Sequence, residues 1–198
     1  MVNRLALKLQ LLSGGQRVQQ LLRLTDRDIG ESSITLYDGK GRRSQARPHM
    51  LPLVIELYEL LAQLSLLSTL AENNPGGSLF VGRGGAVVNP ETLSGEVAAI
   101  SAAMVEMGEA AQSFRLGDIR RTCETMMAET LGISKDTRAQ LLSHGISGVQ
   151  DMHYDKGEHI EAKTAALQAW CEHLERVSSG VGLPSRNDKA IPNRKKAT

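Results

Sequence analysis

Apolar residues at Val2, Leu5, Leu9 and Leu12 recur at helical spacing, and Ser13-Gly14-Gly15 ends the run. Val18, Leu21 and Leu22 predict a short second helix with Arg17 near its start. Ser33 to Asp38 (SITLYD) and Pro48 to Leu53 (PHMLPL) read as neighbouring strands, joined by a segment whose Asp-Gly and Lys-Gly pairs are turn chemistry. A leucine-rich helix over Leu53 to Leu70 follows, then a loop at Glu72 to Gly77, a third short strand at Ser78 to Val81, and a glycine-rich surface loop. Asn89-Pro90-Glu91 supplies a cap, a proline in the first helical position and an acid in the first turn. Behind it, Leu93, Val97, Ile100, Met104 and Met107 form a stripe expected to face the core. A helix over Ser113 to Leu131 carries Ile119, Cys123, Met126 and Leu131 on one face, with Gly132 closing it. Ser134 caps the next helix, Lys135 to His144, which Gly145 ends. Past a turn at Asp155 to Gly157, a long amphipathic helix places Ile160, Leu167, Trp170, Cys171, Leu174 and Val177 on one side.

These elements predict an α+β chain, mainly α, with a small antiparallel sheet of about three strands. Its 198 residues suffice for one well-filled domain, residues 1–180, and the basic, aperiodic 181–198 is expected to be a disordered tail. Aromatics at 3% leave the core to Leu, Val, Ile, Ala and Met. No apolar run approaches the ~20 residues of a membrane span, and no signal peptide opens the chain, so a cytoplasmic protein without a membrane partner is expected. Cys123 and Cys171 each fall on an apolar helix face and read as buried free thiols.

A net charge of +1 gives no support of its own to a nucleic-acid partner, but the charges are clustered. Lys40, Arg42, Arg43, Arg47 and His49 form one basic group, Arg115, Arg120 and Arg121 another, and the tail a third. Such clusters are usually solvated surface. The loop from Gly82 to Val88 lacks the glycine spacing and the Lys-Ser/Thr of a phosphate-binding loop. No His and carboxylate cluster has metal-ligand spacing, and no metal or cofactor is expected.

Against this background, three segments stand out. SGGQRVQQLLRLTDRDI opens a helix with Gly-x-Arg, FRLGDIRRTCETMMAETLG contains Asp118-Ile-Arg-Arg-Thr122, and RAQLLSHGISGVQDMHY ends a helix in Leu-Leu-Ser-His with a tyrosine ten residues after the His. Their order over roughly residues 5 to 175 resembles the catalytic domain of the tyrosine recombinases, the phage-integrase family. The resemblance implies a catalytic set of Arg17, Lys40, Arg120, His144 and Tyr154. It further implies DNA-phosphate contacts from Arg42, Arg43, Arg47 and Arg121. Two departures are visible. Gly117 stands where the second-arginine motif has histidine, and Gln20 where an acid usually follows the first arginine by three residues. His153 is a candidate replacement for the missing histidine.

The residue types suit phosphodiester chemistry. Guanidinium groups are planar, permanently charged, two-pronged donors for non-bridging oxygens. By resemblance, Arg17 and Arg120 clamp the phosphate, Tyr154 attacks to give a 3′-phosphotyrosyl link, Lys40 protonates the departing 5′-oxygen, and His144 hydrogen-bonds the phosphate. The implied partner is double-stranded DNA. Four protomers would act on two DNA sites, weakly associated or monomeric without DNA, needing neither metal nor ATP. The last helix either closes the core or docks on a neighbouring protomer. The family's upstream helical domain, which completes the clamp on DNA, is absent from these residues. An idle DNA-binding protein of the same fold, favoured by Gly117 and Gln20, and a topoisomerase-like relaxer are the competing readings.

Overall fold

A computed structural model describes residues 1–39, 46–74, 76–82, 84–143 and 156–180. Its elements are helices α1 (Val2–Leu12) and α2 (Val18–Leu21), a 3-10 turn (Asp26–Asp28), strands β1 (Ser33–Asp38) and β2 (Arg47–Pro52), and helices α3 (Ile55–Thr69), α4 (Pro90–Glu106), α5 (Leu116–Glu129), α6 (Lys135–Leu142) and α7 (Lys156–Ser178). The architecture is mainly helical with a small antiparallel sheet, as the pattern predicts. Among the described residues the sheet has two strands rather than three. The expected third strand makes only isolated bridges, Thr25 to Ser78 and Val81 to Val87, because Leu79, Phe80 and Val81 are drawn into the core side by side instead of alternating.

β1 and β2 pair from Ser33 opposite Pro52 to Asp38 opposite Arg47. Strand alternation then sorts the side chains. Ile34, Leu36 and Asp38 on β1, with His49 and Leu51 on β2, lie on the buried face, while Tyr37 and Met50 are exposed. Thus two titratable side chains are carried to the inner face by the same periodicity that buries the leucines.

α3 contributes the fully buried Leu57, Leu60, Leu61 and Leu64, and α1 packs across it with Ala6, Leu7 and Leu9. Burying each such leucine is worth roughly 1.5–3 kcal/mol. α7 closes the core with Ala166, Leu167, Trp170 and Cys171. Its indole Nε1 donates to Leu11 O at 2.7 Å, a second bond to a carbonyl at the end of α1 that also accepts the Gly14 N–H at 3.0 Å. The apolar side of α7 is therefore turned into its own chain. Both cysteines are buried and free, and burial pushes each thiol up to about 12.

One stripe departs from expectation in its second half, and another keeps its expected face. On α4 the buried positions are Leu93, Val97 and Ser101, whereas Ile100 and Met107 are exposed. Ser101 is taken inward because its hydroxyl accepts the Phe114 N–H at 2.7 Å, a bond that ties α4 to the segment entering α5. On α5 the buried residues are Cys123 and Met127, with Ile119, Met126 and Leu131 packed partly against the core. Among the described residues no helix is long and apolar enough to cross a membrane.

Candidate active site

The C-terminus of α6 is where separate parts of the chain converge. A helix end leaves carbonyls without intrahelical partners, and here side chains from three other segments fill them. Gln16 Nε2 donates to Leu141 O at 2.7 Å, His49 Nε2 lies 2.9 Å from the same oxygen, and Arg120 Nη2 donates to Leu142 O at 2.7 Å. Ser143 then leaves the helix in the left-handed conformation, φ 53°. That conformation is costly for a residue with a Cβ, and the next residue in sequence is His144.

The α1–α2 connector approaches from the other side. Gly15 has φ +84°, and a Cβ built on it would lie 2.9 Å from the Cα of Arg120. Only glycine lets α5 come this close, and the approach brings the Gly15 carbonyl within 2.9 Å of Arg120 Nη1, which donates to it. Two residues on, Arg17 occupies the position before α2 without a side-chain capping bond, and its Nη1 meets Asp38 Oδ2 at 3.1 Å. The Arg17 and Arg120 guanidiniums are close enough to act on each other. Burial first, and then the charge of Arg17, lower Arg120 to about 10, so it stays protonated at neutral pH. Asp38 and Glu124 act on it in the opposite direction.

Asp38 also accepts from Ser143 Oγ at 3.4 Å, while the same hydroxyl accepts from Arg47 Nη2 at 2.6 Å. The result is a connected set: Arg17, Asp38, Ser143 and Arg47, with Arg120 alongside. Beyond Arg47 lie two more basic side chains. His49 is buried, and desolvation, followed by the charge of Lys163, lowers its ring to about 4. Facing a carbonyl oxygen, the neutral ring carries its hydrogen on Nε2. Lys163 of α7 donates from Nζ to Met50 O at 2.8 Å, and burial together with Arg47 lowers it to about 8.

Of the residues singled out from sequence, Arg17, Arg47 and Arg120 are thus gathered at the end of α6. Arg121 is not; it is exposed on the outer side of α5, paired with Asp118 one turn back. Lys40, Arg42, Arg43, His144, His153 and Tyr154 lie outside the described residues. Sequence reasoning did not single out Asp38, Ser143 or Lys163, and placed His49 only in a basic cluster. For Asp38 the available signal was strand alternation from Ile34 and Leu36. For Lys163 it was helical register, since it lies three residues after Ile160 and four before Leu167 on the apolar stripe.

No family model matches the chain, and no curated protein matches it. Solved structures do. The integrase of mycobacterium phage Brujita is similar over 86% of this chain and 52% of its own, with a TM-score of 0.58 at 18% identity. The fold is that of site-specific recombinases and integrases. XerH site-specific recombinase bound to its difH substrate, in a pre-cleavage complex, is similar over 89% of this chain and 44% of its own, with a TM-score of 0.54 at 18% identity. A lambda integrase tetramer bound to a Holliday junction covers 78% of this chain and 42% of its own, with a TM-score of 0.53 at 18% identity. The chain accordingly spans about half, or less, of the length of these recombinase-fold proteins.

Proposed function

We propose that this chain is the catalytic part of a tyrosine-type site-specific recombinase, acting on double-stranded DNA through a covalent 3′-phosphotyrosyl intermediate. The observation that carries the reading is that Arg17 and Arg120 converge on one helix end in a recombinase fold, Arg120 through its bond to Leu142 O and Arg17 through Asp38, which Ser143 also meets. Gathering like charges in one region is costly, and a phosphodiester is the anion that repays the arrangement.

In the proposed reaction, Arg17 and Arg120 donate to the non-bridging oxygens and stabilise the charge that builds on them as phosphorus becomes five-coordinate. Tyr154 loses its proton and its oxygen attacks phosphorus. The Oη–P bond forms as the P–O5′ bond breaks, and Lys40 delivers a proton to the departing 5′-oxygen. His144 donates to the phosphate. A 5′-hydroxyl then attacks the phosphotyrosine, returning Tyr154 and a joined strand. The phosphodiester energy is kept in the covalent link, so no ATP is consumed. Arg47, with Arg42, Arg43 and Arg121, supplies phosphate contacts that position the duplex without reading its sequence. Neighbours of this fold are described as a tetramer on a Holliday junction and a dimer on a core site, which supports assembly of this chain on paired DNA sites.

The test is incubation with a nicked duplex that loses its 5′-hydroxyl fragment on cleavage and so traps the adduct. A covalent protein–DNA species that disappears in Tyr154→Phe is the expected result. A second reading, an idle DNA-binding protein, is favoured by Gly117, which offers no imidazole beside Arg120. DNA binding with no adduct under any divalent-ion or pH condition would replace the first reading with the second.

A further inference from the structure

We propose that Asp38 is the positioning residue that holds Arg17 in the shared pocket, replacing the acid that this chain lacks at position 20. The inference rests on the recombinase reading above for its catalytic consequence, and on the geometry alone for the positioning itself.

Arg17 and Gln20 are three residues apart at the start of α2, a spacing at which side chains share a helix face. Gln20 is 5% exposed, and neither its Oε1 nor its Nε2 has a hydrogen-bond partner among the described residues. An amide buried in this way gives Arg17 no support. The guanidinium turns instead to a different element, meeting Asp38 Oδ2 at 3.1 Å from the last residue of β1. Asp38 is 8% exposed and lies on the inner face of the hairpin, directly opposite Arg47 in the strand register.

Geometry and electrostatics assign the carboxylate more than one contact. Arg17 and Arg120 repel each other, and α2 is only four residues long, so Arg17 could swing outward into solvent with little to stop it. Asp38 opposes that motion by attracting Arg17 directly and by offsetting the effect of Arg17 on Arg120. A serine hydroxyl has one proton to give and lone pairs to accept with. Ser143 uses both, donating to Asp38 at 3.4 Å and accepting from Arg47 at 2.6 Å. One carboxylate therefore sets the position of Arg17 directly and of Arg47 through a hydroxyl, tying β1, β2 and the end of α6 to the start of α2.

The experiment compares wild type, Asp38→Asn, Asp38→Ala, and each of these combined with Gln20→Glu. Single-turnover adduct formation is followed on the nicked duplex at saturating DNA. Separately, the side-chain Nε–Hε resonance of Arg17 is followed by NMR in the chain without DNA. Asp38→Ala should slow adduct formation by about 10², the scale of a misplaced catalytic group. It should also broaden the Arg17 resonance into the solvent-exchanging average. Gln20→Glu should restore at least about tenfold of the rate and recover the resonance, because it returns a carboxylate to the turn beside Arg17. A defect that were only a loss of stability would not be rescued by burying a further acid. Asp38→Asn keeps the shape and serves if the alanine variant unfolds. If the wild type forms no adduct, the recombinase reading fails while the NMR arm still decides the positioning claim. An Arg17 resonance unchanged in Asp38→Asn, or a loss that Gln20→Glu does not recover, would overturn it.

Discussion

Replacing Gly15 with alanine tests whether the contact between the α1–α2 connector and α5 is as tight as the site requires. Gly15 sits at φ +84°, where an L-residue is disfavoured by about 1–2 kcal/mol. The added methyl would meet Arg120 Cα at 2.9 Å, Cys123 Cβ at 3.1 Å and Cys123 Sγ at 3.3 Å. Helix backbone cannot step aside as a flexible side chain can, so overpacking should add about 1–3 kcal/mol. The sum, roughly 2–5 kcal/mol, is large against a typical domain stability of about 5–15 kcal/mol. Two further glycines provide internal comparison. Gly14 has φ +76°, but its nearest obstacle, at 2.6 Å, is the terminal Cε of Met127, which can rotate away. Gly117, in the first turn of α5, has nothing within 4 Å of its would-be Cβ, and alanine there should stabilise the helix by about 0.5–1 kcal/mol. Urea denaturation of the three variants should rank Gly117→Ala above wild type, Gly14→Ala below it, and Gly15→Ala lowest. Adduct formation by whatever Gly15→Ala remains folded should fall most, since Arg120 is displaced with α5. A Gly15→Ala variant as stable as Gly14→Ala would refute the claim that backbone contact, rather than φ alone, fixes this glycine.

Three other outcomes follow from the same geometry. Ser143→Gly and Ser143→Ala both lose the bonds to Asp38 and Arg47, but only alanine keeps the left-handed strain, so denaturant melts should place alanine about 1 kcal/mol below glycine; equal stabilities would remove the strain argument. Gly117→His should fold normally and, if the site is short of an imidazole, raise the adduct rate by about tenfold or more; an unchanged rate would show that the pocket does not use one. His49 is lowered from 6.5 to about 4 in the folded chain, so the unfolded chain takes up a proton first. Its contribution is full above pH 6.5 and is lost as pH falls toward 4, on the order of 3 kcal/mol across that window. Stability against pH should therefore be flatter there in His49→Gln than in wild type, and parallel curves would contradict the buried, neutral ring.

Much of the fold could be read from periodicity because most elements present one uniform face. α3, β1, β2 and α7 lie within a few residues of their expected positions, and Asn89 and Ser134 cap their helices through the side-chain bonds their types suggest. The α4 stripe holds at Leu93 and Val97 and departs beyond them for a physical reason. A scale of side-chain hydrophobicity ranks Ile100 above Ser101, yet the hydroxyl goes inside because Phe114 N–H needs an acceptor. The third strand was misplaced because three consecutive buried residues suit an irregular core segment as well as a strand. In the site, arginine and glycine positions are visible as motifs, whereas the residues that orient them are not. Asp38 and Lys163 look like ordinary surface charges until strand and helix registers show that they point inward with Leu36 and Leu167. Their partners are distant in sequence, Asp38 with Ser143 and Lys163 with the Met50 carbonyl.

The central claim is that Arg17 and Arg120 serve one phosphate. A structure of this chain bound to a nicked duplex decides it. Both guanidiniums should donate to non-bridging oxygens of the same scissile phosphate at about 3 Å, with Arg17 still held by Asp38. Guanidiniums bound to different phosphates, or Arg120 still spent on the Gly15 and Leu142 carbonyls while the DNA lies elsewhere, would contradict it.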